Sequence, residues 1–177
     1  PRHGPGELLL TSAQVELWDE EVRADVHHRG ICTLPEMDLS SATLEEAVAD
    51  LQRVAGEILD RGKFLLTIGG EHSITSPIVA AAAERHQGIS VLQIDAHADL
   101  RDSYQSQRHS HACAMRRTLD YAKLVQVGIR NISEEEIRAL PSLQTTIFYD
   151  WNMRDDPNWI DRAVDALSDT VYVTIDL

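Results

Sequence analysis

Five short apolar runs punctuate the chain, and each is closed by Gly or Asp. Phe64-Leu65-Leu66-Thr67-Ile68 stops at Gly69-Gly70, and Ile89 to Ile94 stops at Asp95. Leu124-Val125-Gln126-Val127 stops at Gly128, Thr146-Ile147-Phe148-Tyr149 at Asp150, and Val171-Tyr172-Val173-Thr174-Ile175 at Asp176. Runs of this length, rich in β-branched and aromatic residues, predict strands. Several are apolar at nearly every position, as strands covered on both faces are. The segments between them change period. Leu44, Ala47, Val48, Leu51, Val54, Ala55 and Ile58 recur as one helical stripe, behind a capping box of Thr43 and Glu46. Ile74 to Arg85 is Ala-rich and predicts a buried helix, and Ser133 with Glu136 predicts a second capping box. Asp156-Pro157 predicts an N-cap followed by Pro at N1, with Trp159, Ile160, Ala163, Val164 and Leu167 on one face. Strand–helix alternation of this kind predicts an α/β fold: a parallel sheet with helices on both faces.

Composition narrows the function. The 177 residues carry 16 Lys+Arg against 29 Asp+Glu, a formal net charge of −13. That length predicts one domain over residues 1–177. The acidic balance argues against a nucleic-acid partner, whose phosphates select clustered Lys and Arg. No run approaches the roughly 18 apolar residues of a membrane span. Two cysteines, Cys32 and Cys113, do not make a disulfide framework and fit a reducing, cytoplasmic setting.

In open parallel sheets, ligands bind beyond the carboxyl ends of the strands, which is where the Asp and His residues fall. Gly69-Gly70-Glu71-His72-Ser73 follows the first run, Asp95-Ala96-His97-Ala98-Asp99 the second, and Asp176 the fifth. In Asp95-x-His97-x-Asp99 the period of 2 puts all three side chains on one side of an extended segment. Asp95, Asp99 and Asp176 would repel one another in a shielded cleft unless cations lay between them. An oxygen and imidazole donor set without thiolate suits Mn²⁺ or a similar ion. Singly, each residue has a plainer reading. His72 behind two glycines is a common structural His, and Asp176 an ordinary strand-end Asp or N-cap. Glu71 is expected to orient a neighbour of the site. Cys113 and the three Trp residues are expected to pack, and His27-His28 to lie at the surface.

Together, Gly-Gly-Glu-His-Ser at 69–73, Asp-Ala-His-Ala-Asp at 95–99, Ser-His-Ala at 110–112 and Val-Thr-Ile-Asp at 173–176 resemble the ureohydrolases, the arginase and agmatinase family of binuclear manganese enzymes. The resemblance runs over most of the chain, including Gly4-Pro5 and Val127-Gly128-Ile129-Arg130. Ser-His-Ala followed by Met115-Arg116-Arg117 is more similar to the agmatinase branch than to arginase. It implies a three-layer arginase-like fold, incomplete at both ends, and two Mn²⁺ ions. His72 would bind one ion and His97 the other, Asp95 and Asp176 would bridge them, and Asp99 would complete the first site. A further Asp ligand is implied two residues after Asp176, past the last residue, so residues 1–177 alone are expected to turn over little. His111 matches the family's proton-shuttling His, with the polar stretch Arg101 to Ser110 as a loop over the mouth. The implied reaction is hydrolysis of a small cationic guanidino substrate, agmatine first, to putrescine and urea. Arginine, guanidinobutyrate and N-substituted agmatine are alternatives, and a homo-oligomer, trimer or hexamer, is implied. Two other classes remain open: a one-metal zinc deacetylase on a related fold, and an inactive metal-binding scaffold.

Overall fold

The computed structural model describes residues 3–176. Its centre is a four-stranded parallel sheet of β3 (Ser90–Ile94), β4 (Lys123–Ile129), β5 (Thr145–Tyr149) and β6 (Val171–Ile175), in the order β5-β4-β3-β6. These are four of the five apolar runs. Side-chain alternation divides the sheet into two faces. Val91 and Leu124, paired in register, join Val79, Ala82, Ala114, Met115 and Ile129 in the main core. That face is covered by α3 (Thr75–Ala83) and α4 (Ala114–Thr118). Val125, Val127 and Phe148 point the other way, with Leu92 packed against them. They meet Met153 of α6 (Asp150–Met153) and Trp159 and Ala163 of α7 (Trp159–Asp165). Each fully buried Val or Leu contributes about 1.5–3 kcal/mol relative to exposure, so this two-sided cover holds the sheet together.

α3 is buried from Thr75 to Ala82, and its small residues let it lie between the sheet and α2 (Leu44–Asp60). The Thr43–Glu46 capping box is present, as is the Ser133–Glu136 box before α5 (Glu134–Ala139).

Three expectations need correcting. Phe64 to Ile68 is not in a strand; Leu65 packs beside Ala55, Ile78 and Ala81, while Phe64 and Leu66 are 96% and 77% exposed. An apolar run forms a ladder only when a neighbouring strand offers partners, and none does among the described residues. Helix α7 begins two residues beyond the expected Pro N1. Asp156 instead accepts from Asn158 N (3.0 Å) in a turn, and Ile160 and Val164 face outward. Trp18 and Trp151 are exposed, and only Trp159 packs against the core.

Residues 3–43 were given no element by periodicity. They hold a helix, α1 (Gly4–Ser12), and a two-stranded ribbon of β1 (Trp18–Asp19) and β2 (Ala24–Asp25), with no buried residue in any of the three. Among the described residues, no helix is long and apolar enough to cross a membrane.

Strand order positions the site. β4 and β6 flank β3 on opposite sides. The connection after β3 runs over one face through α4, and the connection into β6 runs over the other through α6 and α7. Connections that leave in opposite directions open a crevice at the carboxyl ends of the strands between them. Asp95 follows β3 and Asp176 follows β6, so both stand at that crevice.

Candidate metal centre

His72, Asp95, Asp99 and Asp176 each present one ligand atom, and these four atoms lie within 4.8 Å of one another. The glycine-led loop delivers His72 on a short 3-10 turn, His72–Ile74, that runs into α3. Its Nδ1 is 2.8 Å from Asp99 Oδ2, 3.4 Å from Asp95 Oδ2 and 3.6 Å from Asp176 Oδ2. Its Nε2 lies 3.1 Å from Thr174 Oγ1, which in turn is 3.2 Å from Thr75 Oγ1. The two threonines thus fix the ring from behind, with Nδ1 facing the carboxylates. Such outer partners orient metal-binding imidazoles.

The electrostatics of the cluster favour positive charge among its carboxylates. Burial would lower the His72 pKa, but the Asp99 hydrogen bond and the charges of Asp99, Asp95 and Asp176 outweigh it, and the ring keeps its proton above its ordinary value. Burial likewise pushes the Asp99 carboxyl up, against the opposing pull of His72. A proton on His72 therefore takes the position where positive charge is favoured. A divalent ion would replace it and relieve the remaining repulsion. The residues present fit such an ion: three carboxylates and an imidazole, without thiolate.

Asp99 occupies the left-handed backbone region, φ 52°, which Asp tolerates better than most residues. Its carbonyl accepts from Met115 N (3.0 Å) and Arg116 N (3.1 Å), so the first turn of α4 holds it in that conformation. Gly128 is required on the neighbouring strand. Its φ is 87°, and a Cβ there would stand 3.2 Å from the Asp95 carbonyl oxygen.

His97 is not in the cluster. Its side chain is 56% exposed, with Nδ1 3.5 Å from Asp95 Oδ1. Asp95 is thus the divide: Oδ2 faces His72 and Oδ1 faces His97. The expectation that period 2 puts all three side chains together holds for Asp95 and Asp99. His97 departs: its backbone carries the β3–β4 pairing on in a parallel bridge to Asn131, and its side chain lies exposed on the Oδ1 side of Asp95.

His111 begins a second 3-10 turn, His111–Cys113, across the mouth. Glu71 Oε1 accepts from its backbone N–H (2.9 Å) and lies 3.2 Å from its Nδ1. The other Glu71 oxygen accepts from Ser73 N (3.0 Å) and the Ser73 hydroxyl. Glu71 therefore orients its neighbours. Tyr104 packs edge-on to His111 at 5.7 Å, beneath the Arg101 guanidinium at 5.5 Å. Tyr104 and Gln107 exchange backbone bonds of 2.9 Å around Gln105 and Ser106, both at positive φ. A cavity of about 300 Å³ is lined here by Leu44, Glu71, Tyr104, His109, Ser110 and His111. Cys113 is buried, and burial raises its thiol pKa, which suits packing and not nucleophilic attack.

A model of the arginase family matches residues 1–177, the whole sequence. The chain belongs to the arginase family. An N(1)-aminopropylagmatine ureohydrolase of Synechocystis sp. is 35% identical over 99% of the chain. The chain spans 60% of that relative's length. An agmatinase of Bacillus anthracis is 27% identical over 76% of the chain and 48% of its own. The crystal structure of the agmatine ureohydrolase of Thermoplasma volcanium superposes with a TM-score of 0.87 at 26% identity, over 98% of this chain and 59% of that one. The parallel sheet with helices on both faces is therefore the arginase-like fold. Sequence reasoning passed over Gln93 and Gln126, both buried at or beside the ligand segment. Their only signal was a polar residue inside or behind an apolar run.

Proposed function

We propose that the intact protein is a binuclear manganese hydrolase of a guanidino group. The observation that carries this reading is the convergence of His72, Asp95, Asp99 and Asp176 at the sheet crevice of an arginase-family chain. In this reading His72 and Asp99 hold one ion, His97 serves the other, and Asp95 and Asp176 bridge. The two Asp95 oxygens, each facing a different imidazole, support that division. The ions, when bound, supply the Lewis acidity that makes water nucleophilic at neutral pH.

The chain's own residues handle protons and position. A carboxylate only accepts, so Glu71 fixes the His111 proton on Nδ1 and leaves Nε2 as the basic nitrogen. His111 Nε2, exposed at the mouth, would take up a proton from solvent and pass it to the departing amine, returning to the neutral ring. The Tyr104 ring confines His111 on its other side. The substrate we propose is agmatine or its N-aminopropyl derivative. Support for the longer molecule comes from the Synechocystis relative, named for it and matched over nearly the whole chain.

The test is urea release by the intact, Mn²⁺-loaded protein from agmatine, N(1)-aminopropylagmatine, arginine and 4-guanidinobutyrate. No urea from any of them would sink the enzyme reading. Release from arginine alone would overturn the substrate choice. A metal count of two ions per chain eliminates a one-metal deacetylase.

A further inference from the structure

Two glutamines in the middle of the sheet make contacts that nothing above has used. Gln93 on β3 and Gln126 on β4 are register partners, and both side chains are fully buried. An apolar residue would fill either position without needing partners. Gln93 Nε2 donates to Asp95 Oδ2 (2.7 Å) and to the His97 carbonyl (3.1 Å). Gln126 Nε2 donates to the Ala98 carbonyl (2.7 Å) and to Gln93 Oε1. Thr145 Oγ1, on β5, donates to Gln126 Oε1 (3.1 Å). Every donor hydrogen of both amides is therefore used, and three of the four point at the segment Asp95–Asp99. The acceptors there are a carboxylate and two carbonyls, which cannot donate, so the amides can face only this way.

We propose that Gln93 and Gln126 form a clasp that positions Asp95 for metal binding; this rests on the metal reading above. The clasp acts in two places. It fixes the rotation of the Asp95 carboxylate through Oδ2, and it holds the peptides on both sides of Ala98. Asp95 Oδ1 is steadied separately by His97 N (2.8 Å). Both carboxylate oxygens are thus oriented before an ion arrives. The choice of amide follows from charge. Lys or Arg would hold a carboxylate more strongly but would repel an incoming cation, whereas an amide donor is neutral. Thr145, Gln126 and Gln93 donate in one direction, so each bond polarises the next toward Asp95. Gln93 and Gln126 touch no reacting atom and are positioning residues.

The experiment is calorimetric titration of Mn²⁺ into the metal-free intact protein and its variants, with melting temperature measured alongside. Gln93→Met keeps the volume and removes the donors. It is expected to weaken Mn²⁺ binding about 10–100-fold, as loss of an outer partner does. Gln126→Met leaves the Asp95 bond in place and frees only its support; its expected loss is roughly 3–10-fold, an intermediate share of the same effect. In the double variant the losses should fall short of additive, because both act through one chain. Wild-type affinity in a folded Gln93→Met overturns the clasp. So does a lower metal-free melting temperature with unchanged affinity, which reduces the pair to packing. Should Gln93→Met not fold, Gln126→Met decides, and wild-type affinity there overturns the clasp equally. If the parent protein itself binds no Mn²⁺, the metal reading fails, and the clasp fails with it.

Discussion

The two sides of Asp95 are built differently. On the Oδ2 side His72 is 6% exposed, ringed by three carboxylates and backed by two threonines. On the Oδ1 side His97 is 56% exposed and has Asp95 as its one carboxylate neighbour among the described residues. The first side is enclosed and crowded with charge before any ion binds; the second is open to solvent. A buried, preformed site keeps a cation tightly, and an exposed one exchanges it more readily. The predictions below break or sharpen that difference, in order of expected effect.

Asp95 belongs to both sides, so Asp95→Ala in the intact protein should remove both. Two-metal activation provides several kcal/mol of transition-state stabilisation, so urea release should fall by about 10³-fold or more. Elemental analysis should show both ions depleted; retention of two ions would end the bridging role. The imidazoles should then separate. In the metal-free protein His72→Ala leaves buried carboxylates without their donor and should cost about 1–3 kcal/mol. His97→Ala, at an exposed position, should stay within about 0.5 kcal/mol while lowering occupancy of one ion. Equal stability losses in urea denaturation would erase the contrast.

A pH series tests the same point. His72 and Asp99 both have raised pKa values in the folded metal-free chain. The folded state thus binds these protons more tightly than the unfolded state does. The stability they contribute is present at low pH and is lost as pH rises through the raised values. Metal-free protein should melt at lower temperature above the His72 pKa than below it. Metal uptake should release protons and strengthen over the same window, since both groups must deprotonate to ligate. A metal-free melting temperature that climbs through this window would contradict the cluster. The smallest effect on the metal site concerns α5. Ser133→Ala removes the cap and should cost about 1 kcal/mol with two ions retained.

That last residue illustrates what the sequence conveyed and what it concealed. The Ser133–Glu136 box was legible as a local pattern. That Glu136 Oε1 also accepts from Leu100 N (2.8 Å), directly behind Asp99, was not, because it joins segments 36 residues apart. The same division runs through the fold. β3 to β6 and α2 were legible because alternation and capping are local. Phe64 to Ile68 has the composition of a strand but no ladder, since pairing depends on a neighbour and not on the run itself. The grouping of His72 with Asp95, Asp99 and Asp176 was legible through motif resemblance. The exposed setting of His97 was not, because exposure depends on what packs around a residue and not on its motif.

Strand order has a last consequence, for the sequence of events in folding. β3, β4 and β5 pair with neighbours close along the chain, whereas Ser90 on β3 meets Val171 on β6. Closing so long a loop is slow, and local pairings come first. His72, Asp95 and Asp99 all precede that closure, and Asp176 comes with it. The Asp176 carboxylate therefore reaches the crevice only when β6 docks on β3. An ion held by all four residues, as proposed, would lock that docking in place and would gain nothing from a chain arrested at β5.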